Sequence, residues 1–390
     1  MKRANQKLKI CGITTRALTL KSFMVQPLKY FSDNGFESYA ICHQDNTIDI
    51  SAISPVHYIP VEMKAGRVSP IEILKVTWTL FKIFRKYRFD IVQYASSNAG
   101  LYASIAAWLA RVPVRVFCQW GVIYIEYTGF KRLFYKTIEK LTCLLSTSVQ
   151  PDSPSNLDFA IQEGLYKRRK GEVIYNGSAT GVDLKKYNRN KRIEWRDKVL
   201  TELKVPNDSY VFGFVGRLCP EKGINELLEA FLSLSFKTKS VYLILVGPTE
   251  LPNRLRQDLY NTALNHPNIR FTGQVSDASF YYASFDMLVL PSYREGFGMV
   301  LLEAAAMGTP SIISDIKGPT DLIKNGFNGY VCKVKSAQSL IEKMYEALCV
   351  NSQQKAEMER NAYEEAASKY NCEDFYMHLL SNRLALIQQQ

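Results

Sequence analysis

Histidine and cysteine are scarce in this chain, and what is present does not cluster. The four histidines (His43, His57, His266 and His378) show no metal-ligand spacing, and the eight cysteines include no C-x-x-C pair. Neither a zinc site nor a disulfide framework is expected, and the thiols read as those of a reducing cytosol. No run of eighteen apolar residues occurs, which argues against a membrane-spanning helix. A secretory leader is not expected either. Lys2, Arg3, Lys7 and Lys9 open the chain, but Arg16 and the threonines around it break any apolar stretch behind them. Internal repeats and low-complexity tracts are also missing, so neither a solenoid nor a disordered linker is indicated.

What remains is globular material with uneven charge. Of 390 residues, 47% are hydrophobic, enough for two cores. Residues 1–172 carry 24 Lys/Arg against 13 Asp/Glu, while residues 173–390 carry 25 against 24, so nearly all of the +12 net charge lies in the first part. A basic first half suits nucleic acid, an anionic membrane surface or an anionic substrate. With no nucleic-acid motif in the chain, a membrane or a phosphate-bearing acceptor is the expectation, and nucleic acid is not.

Strands and helices alternate along the first part. Residues 8–13, 38–42, 89–94 and 112–119 read as strands, 20–34 and 71–88 as helices, and 146–156 as a strand running into a loop. The helix over 71–88 sets Lys75, Lys82, Arg85, Lys86 and Arg88 on faces away from its apolar residues, and 129–141 (GFKRLFYKTIEKL) is a second basic, aromatic stretch. Each fits either a helix covering a sheet or one lying on a bilayer. The pattern predicts one α/β domain over 1–172 and another over 173–370.

Residues 294–310, REGFGMVLLEAAAMGTP, carry the clearest chemistry. A turn through Gly296, Phe297 and Gly298 precedes a run of helix formers that stops at Gly308 and Pro310. DMLVLPS before it and SIIS after it read as buried strands, which makes a βαβ unit of a parallel sheet. Ligands of such sheets sit at the carboxyl ends of the strands, where this turn lies. A helix starting around Met299 and Val300 offers N–H groups and the positive end of a dipole to a phosphate. Glu295 and Glu303 lie on either side of that start, and carboxylates accept hydrogen bonds from hydroxyls. The implied ligand joins a diphosphate to polyols, as a nucleotide sugar does. Upstream, YVFGFVG (210–216) reads as a strand running into Arg217, with Lys222 and Gly223 just before a helix at 224–234. Two cations astride such a turn also suit a diphosphate.

Glu295, seven residues and Glu303, with the intervening glycines and the closing Gly-Thr-Pro, resemble the E-x7-E motif of retaining glycosyltransferases of family 4. Gly216, Arg217, Leu218, Lys222 and Gly223 resemble the same family's G-R-L-x-x-x-K-G motif. The resemblance is strongest over 210–332 and weaker over 1–187. It implies the GT-B fold, an α/β architecture of two Rossmann-like domains facing each other across a cleft. The first would bind acceptor and the second nucleotide sugar, with a C-terminal helix over 371–390 crossing back to the first. By the same resemblance Arg217 and Lys222 hold the donor diphosphate and stabilise it as it leaves, Glu295 lies by the sugar, and Glu303 holds the ribose. Gly216, Gly296, Phe297, Gly298, Met299, Val300, Gly273 and Val275 would line the donor. No Asp-x-Asp pair occurs anywhere, so no metal and no other cofactor is expected; the nucleotide sugar is a co-substrate.

The first half departs from the family pattern. Thr14, Thr15 and Arg16 stand where glycine is common, Trp120 precedes Gly121 where histidine is common, and Gln93 replaces another histidine. Ser97, Gln119, Trp120 and Glu126 are the candidate acceptor contacts. Residues 112–142 and 175–183 look most like bacterial transferases that build capsule or O-antigen units on polyprenyl-diphosphate-linked sugars. The resemblance therefore implies a retaining, metal-independent transferase that uses a UDP-sugar and a lipid-linked saccharide. It would dock on an anionic membrane surface, the inner face of the bacterial cytoplasmic membrane. Two other readings stand beside it. A sugar-nucleotide epimerase on the same fold needs acid and base residues around the sugar that this chain does not supply. A non-catalytic, membrane-associated nucleotide-sugar-binding protein has no need of Arg217, Lys222 and Glu295 together. A glycosidase's carboxylate pair would leave the two cations unexplained.

Overall fold

The computed structural model describes residues 7–45, 49–66, 68–235, 240–250 and 252–389. The chain forms two compact units, Met1–Thr180 with Glu373–Gln390, and Gly181–Cys372. These limits lie slightly beyond the expected 172/173 and 370/371. Residues 174–178 stay with the first unit because Ile174 packs into its core and the Ser178 N–H donates to the Asp152 carbonyl. Val182 instead bridges to Asn371 and so belongs to the second.

The first unit runs β1 (Lys9–Ile13), α1 (Ala17–Phe23), α2 (Val25–Asp33), β2 (Glu37–Cys42), β3 (His57–Pro60), α3 (Pro70–Tyr87), β4 (Ile91–Ala95), α4 (Ser97–Leu109), β5 (Val114–Gln119), α5 (Gly129–Leu145), β6 (Ser148–Pro151) and α6 (Pro154–Gln162). Its six strands pair in parallel in the order β3-β2-β1-β4-β5-β6. Helices cover both faces, so central strands such as β4 are buried at every residue and read as continuous apolar runs. The expected helix over 20–34 is two helices. Pro27 lies in the first turn of α2, and its ring cannot follow a helical carbonyl at Phe23, so the chain bends at Met24. α3 starts where Ser69 accepts a hydrogen bond from the Glu72 N–H ahead of Pro70, the usual chemistry of a helix start.

The second unit runs α7 (Arg192–Glu202), β7 (Tyr210–Val215), α8 (Ile224–Ser235), β8 (Val241–Val246), α9 (Gln257–Leu264), β9 (Ile269–Gly273), α10 (Ser279–Ser284), β10 (Met287–Leu290), α11 (Met299–Ala306), β11 (Ser311–Ser314), α12 (Pro319–Leu322), β12 (Gly329–Cys332), α13 (Ala337–Cys349) and α14 (Ser352–Lys369). The last helix, α15 (Cys372–Gln388), returns to the first unit, where Phe375, Leu379 and Ile387 join the cluster around Ile10, Val114 and Val116. The second sheet is also parallel, in the order β12-β11-β10-β7-β8-β9. Its strand order reverses between β7 and β10. The loops that leave these two neighbours diverge to opposite faces and open a crevice at their carboxyl ends.

Candidate active site

The crevice between β7 and β10 brings together the two stretches singled out in the sequence. Gly223, at φ +70°, closes the turn after β7 so tightly that a Cβ there would lie 2.1 Å from the Pro291 carbonyl oxygen on the turn after β10. Only glycine tolerates that approach. The two turns are also tied by the Tyr293 N–H, which donates to the Glu221 carbonyl at 3.0 Å. In this setting the Lys222 ammonium reaches Glu295, with Nζ 2.5 Å from Oε1. The buried Ser292 hydroxyl donates to the same oxygen at 2.7 Å. Both charged side chains are mostly covered, at 24% and 12% exposure, so the pair is less screened than a surface ion pair.

Arg217 leaves the end of β7 in another direction. Its Nη1 donates to Glu250 in the loop after β8, and the pair is about half exposed. Arg254 is paired in the same region with Glu221, whose carboxyl is held below its ordinary range by that guanidinium despite partial burial. Arg217 and Lys222 thus share one strand end, but each has its own carboxylate. The loop after β8 is drawn close by the Leu218 N–H, which donates to the Pro248 carbonyl, and by the Gly247 N–H, which donates to the Gly273 carbonyl at the end of β9. Gly216, Gly273 and Val275 therefore stand at the same carboxyl edge as the two cations.

The helix after β10 starts as expected. Gly298, at φ +86°, is the residue ahead of α11 and has no side chain with which to cap the N–H groups that follow. Met299 and Val300 open the helix and are half-buried. Glu303 lies one turn in. Its carboxyl accepts hydrogen bonds from the Tyr282 and Tyr187 hydroxyls. Burial raises its pKa above the usual carboxylate value, and the two phenols pull the other way. Phe297 could face a donor only through its backbone. Its side chain is in the core, 1% exposed and packed on Tyr370, because a large apolar group between two glycines is buried rather than offered to a polar ligand.

In the first unit Ser97 follows β4 while Gln119 and Trp120 end the neighbouring β5, and the four candidate acceptor residues differ in their surroundings. Gln119 is fully buried, with Nε2 donating to Glu139 at 2.7 Å and Oε1 accepting from Tyr166 at 3.0 Å. Both ends of its amide are committed inside the core, which removes it as an acceptor contact. Trp120 packs edge-on against Phe23, with ring centroids 5.3 Å apart. Glu126 ends a short helical turn at Ile123–Glu126. Ser97 begins α4, whose first turn is closed by Thr15: its Oγ1 accepts from the Ala99 N–H at 3.2 Å and bonds the Ser96 hydroxyl at 2.8 Å. Threonine in the first strand-to-helix loop therefore caps a neighbouring helix. Gln93 is the seat of a buried arginine. Arg383 of α15 donates Nε and Nη2 to its Oε1 at 3.1 and 2.9 Å. Burial among neutral partners pushes the guanidinium down to about 10. A cavity of about 30 Å³ beside Arg383 is lined by Phe23, Met24, Gln93 and Trp120 among others.

Comparison with known proteins settles the family. Residues 196–365 match the model for "Glycosyl transferases group 1", and residues 9–149 match "Glycosyl transferase 4-like". The chain is 30% identical over 351 residues, covering 87% of itself and 88% of the relative, to the UDP-Gal:alpha-D-GlcNAc-diphosphoundecaprenol alpha-1,3-galactosyltransferase of Escherichia coli. It belongs to this family of glycosyltransferases. The capsular polysaccharide biosynthesis glycosyltransferase CapM of Staphylococcus aureus is another relative, 30% identical over 290 residues and 74% of each chain. Among solved structures, a glycosyltransferase from Rickettsia africae superposes with a TM-score of 0.82 over 99% of this chain and all of its own, at 18% identity. The fold of this glycosyltransferase is accordingly GT-B.

Several partners in the glycosyltransferase's crevice were not visible in the sequence reading. Ser292 carried a signal, since it lies three residues before Glu295 on the same turn. Glu250, Tyr187 and Tyr282 carried none, because each meets its partner from a segment more than twenty residues away in the sequence.

Proposed function

We propose that this glycosyltransferase moves a sugar from a nucleotide sugar, a UDP-sugar, to a polyprenyl-diphosphate-linked saccharide in bacterial surface-polysaccharide synthesis, with retention at the anomeric carbon and without a metal. The observation that carries the donor half is the meeting of Lys222, Glu295 and the glycine-led start of α11 at one strand edge, with Arg217 on the same β7 end. As the bond from the sugar to the diphosphate breaks, negative charge grows on the diphosphate and positive charge on the ring. Arg217, Lys222 and the N–H groups at Met299 and Val300 would meet the first, the prearranged electrostatics that dominate much of catalysis. Glu295 would hold sugar hydroxyls beside the second, and Glu303, steadied by two phenols, has acceptor capacity left for the ribose. The acceptor half rests on the relatives, whose names cite diphosphoundecaprenol-linked sugar and capsular polysaccharide. Such an acceptor would keep the enzyme at the inner face of the cytoplasmic membrane, an anionic surface.

The test is incubation with a panel of UDP- and GDP-sugars and a synthetic prenyl-diphosphate saccharide, followed by mass spectrometry of the lipid. A product one sugar heavier with a UDP donor, its anomeric configuration matching the donor's, is the expected result. Only free sugar, or no reaction with any donor, would count against transfer. Excess EDTA should leave the rate unchanged; a loss restored by magnesium or manganese would end the metal-free part.

A further inference from the structure

Helix α5 is apolar on two opposite sides, and its tertiary packing uses only one. Thr142 and Cys143 face the core, and Glu139 faces it through Gln119. On the outer side Phe130 is 82% exposed, Leu144 71%, Leu133 62% and Phe134 51%, with Leu141 also exposed. With 3.6 residues per turn, these five positions fall within one arc of about 100°. A helix with apolar residues on both faces is expected to be covered on both. Here the outer stripe meets solvent, although an exposed apolar row of this size normally marks an interaction surface.

The rim of the stripe shows what covers it. Lys131 and Lys140 are exposed beside it, Lys131 lying over the Tyr127 ring at 3.7 Å. The basic run Lys167, Arg168, Arg169 and Lys170 adjoins the far end, where Lys170 Nζ donates to the Leu144 carbonyl. Residues 129–170 hold eight Lys/Arg against four Asp/Glu, and one of those four, Glu139, points into the core. A protein partner would have to match both the apolar row and this cationic border. An anionic lipid surface supplies both at once, acyl chains for the aromatic row and headgroups for the lysines. Across α4, in the same helical layer, α3 also exposes Ile71, Leu74 and Trp78 in its first half, followed by Lys82, Arg85 and Lys86.

We infer that α5 docks in the plane of an anionic bilayer, with Phe130, Leu133, Phe134, Leu141 and Leu144 inserted and the Lys131, Lys140 and 167–170 cations on the headgroups. This deepens the proposed reading, which requires a lipid-linked acceptor, by naming the face that meets the lipid. Unit 1 holds a net charge of about +10 against about +2 for unit 2, summed from the residues each contains, so long-range attraction to such a surface acts mainly on the unit that carries α5.

Co-sedimentation of the full chain with vesicles tests this without any catalysis. The wild type should pellet with an equal mixture of phosphatidylcholine and phosphatidylglycerol, much less with phosphatidylcholine alone, and be released by salt. The double substitution Phe130→Asp with Phe134→Asp should weaken binding by about tenfold or more, and Lys131→Glu with Lys140→Glu should weaken it for the anionic vesicles. The single change Leu144→Lys, which leaves both aromatics in place, serves should the double aspartate variant fail to melt like the wild type. Wild type left in the supernatant with anionic vesicles overturns the inference, and so do folded variants that bind unchanged. Light scattering without lipid covers the other occupant: a dimer dissolved by the Phe130 and Phe134 changes would assign the stripe to a second copy and overturn the inference, whereas a monomer supports it. Transfer to a water-soluble short-prenyl acceptor without vesicles is read separately. Inactivity of the wild type there defeats the proposed reaction and leaves vesicle binding standing, while activity retained by a variant that no longer binds vesicles supports the docking role.

Discussion

Lys222 and Glu295 face each other at 2.5 Å, and this contact shapes the chemistry expected of each. Glu295 already gives the lysine an anionic partner, so binding of a donor diphosphate would replace one partner by another and involve little unpaired charge. Glu295→Gln keeps the shape and a weaker bond to Lys222 but removes the negative charge proposed to lie beside the sugar ring. It is expected to lower kcat by roughly a hundredfold with donor KM changed far less. Steady-state kinetics decide this, and an effect confined to KM would assign Glu295 to ground-state binding. Ser292→Ala removes only the 2.7 Å hydrogen bond that orients the carboxylate, and a fall of about tenfold is the expectation. Glu250 pairs with Arg217 and would compete for it with the diphosphate proposed to bind there. Because that pair is half exposed and screened, Glu250→Gln should lower donor KM by only about two- to threefold. A raised KM would mean that Glu250 positions Arg217 rather than occupying it.

Helix α5 carries a charge problem of its own. Burial lifts Glu139 from the ordinary value near 4.5 to about 7, while the Gln119 hydrogen bond opposes the rise. In the native state the carboxyl therefore keeps its proton where the unfolded chain would already have released it. Its effect on stability is neutral below pH 4.5, worsens between 4.5 and about 7, and is constant above that. Glu139→Gln should then be as stable as the wild type near pH 4.5 and more stable at pH 7 and above, by up to about 3 kcal/mol. Urea unfolding at the two pH values measures the difference, and a pH-independent one would refute the assignment. The element scale is also where sequence reading succeeded and failed most clearly. The turn–helix–strand run over 294–314 was legible because its glycines, helix formers and Pro310 are local signals. The bend at Met24 was signalled by Pro27 and passed over. Strand β3 at the sheet edge gave no period to read, since His57 and Pro60 are exposed and the two residues between them are half-buried. Gln119 stands at a strand end by its position along the chain, but burial decides its role, and burial is set by elements far away in sequence.

At the scale of the whole molecule, the two parallel sheets agree with the expectation from alternating strands and helices, while the return of the last helix to the first unit was implied only by the family resemblance. The donor-side motifs were legible because each places its residues on a single turn. The acceptor side was not, since a candidate such as Gln119 is committed by Glu139 and Tyr166, which reach it from other segments of the chain. Arg383→Leu would take from the buried Gln93 amide oxygen both of its Arg383 donors, while Asn382 keeps the Gln150 amide. It should cost roughly 3 kcal/mol of stability, read by denaturant unfolding, and leave UDP binding to the second unit intact. The central claim is that Arg217 and Lys222 hold one diphosphate, and the most direct measurement is titration calorimetry of UDP into the wild type, Arg217→Ala and Lys222→Ala. The account predicts binding by the wild type and a loss of roughly tenfold or more in each variant, with unfolding curves unchanged. UDP bound equally well by all three folded proteins would contradict it.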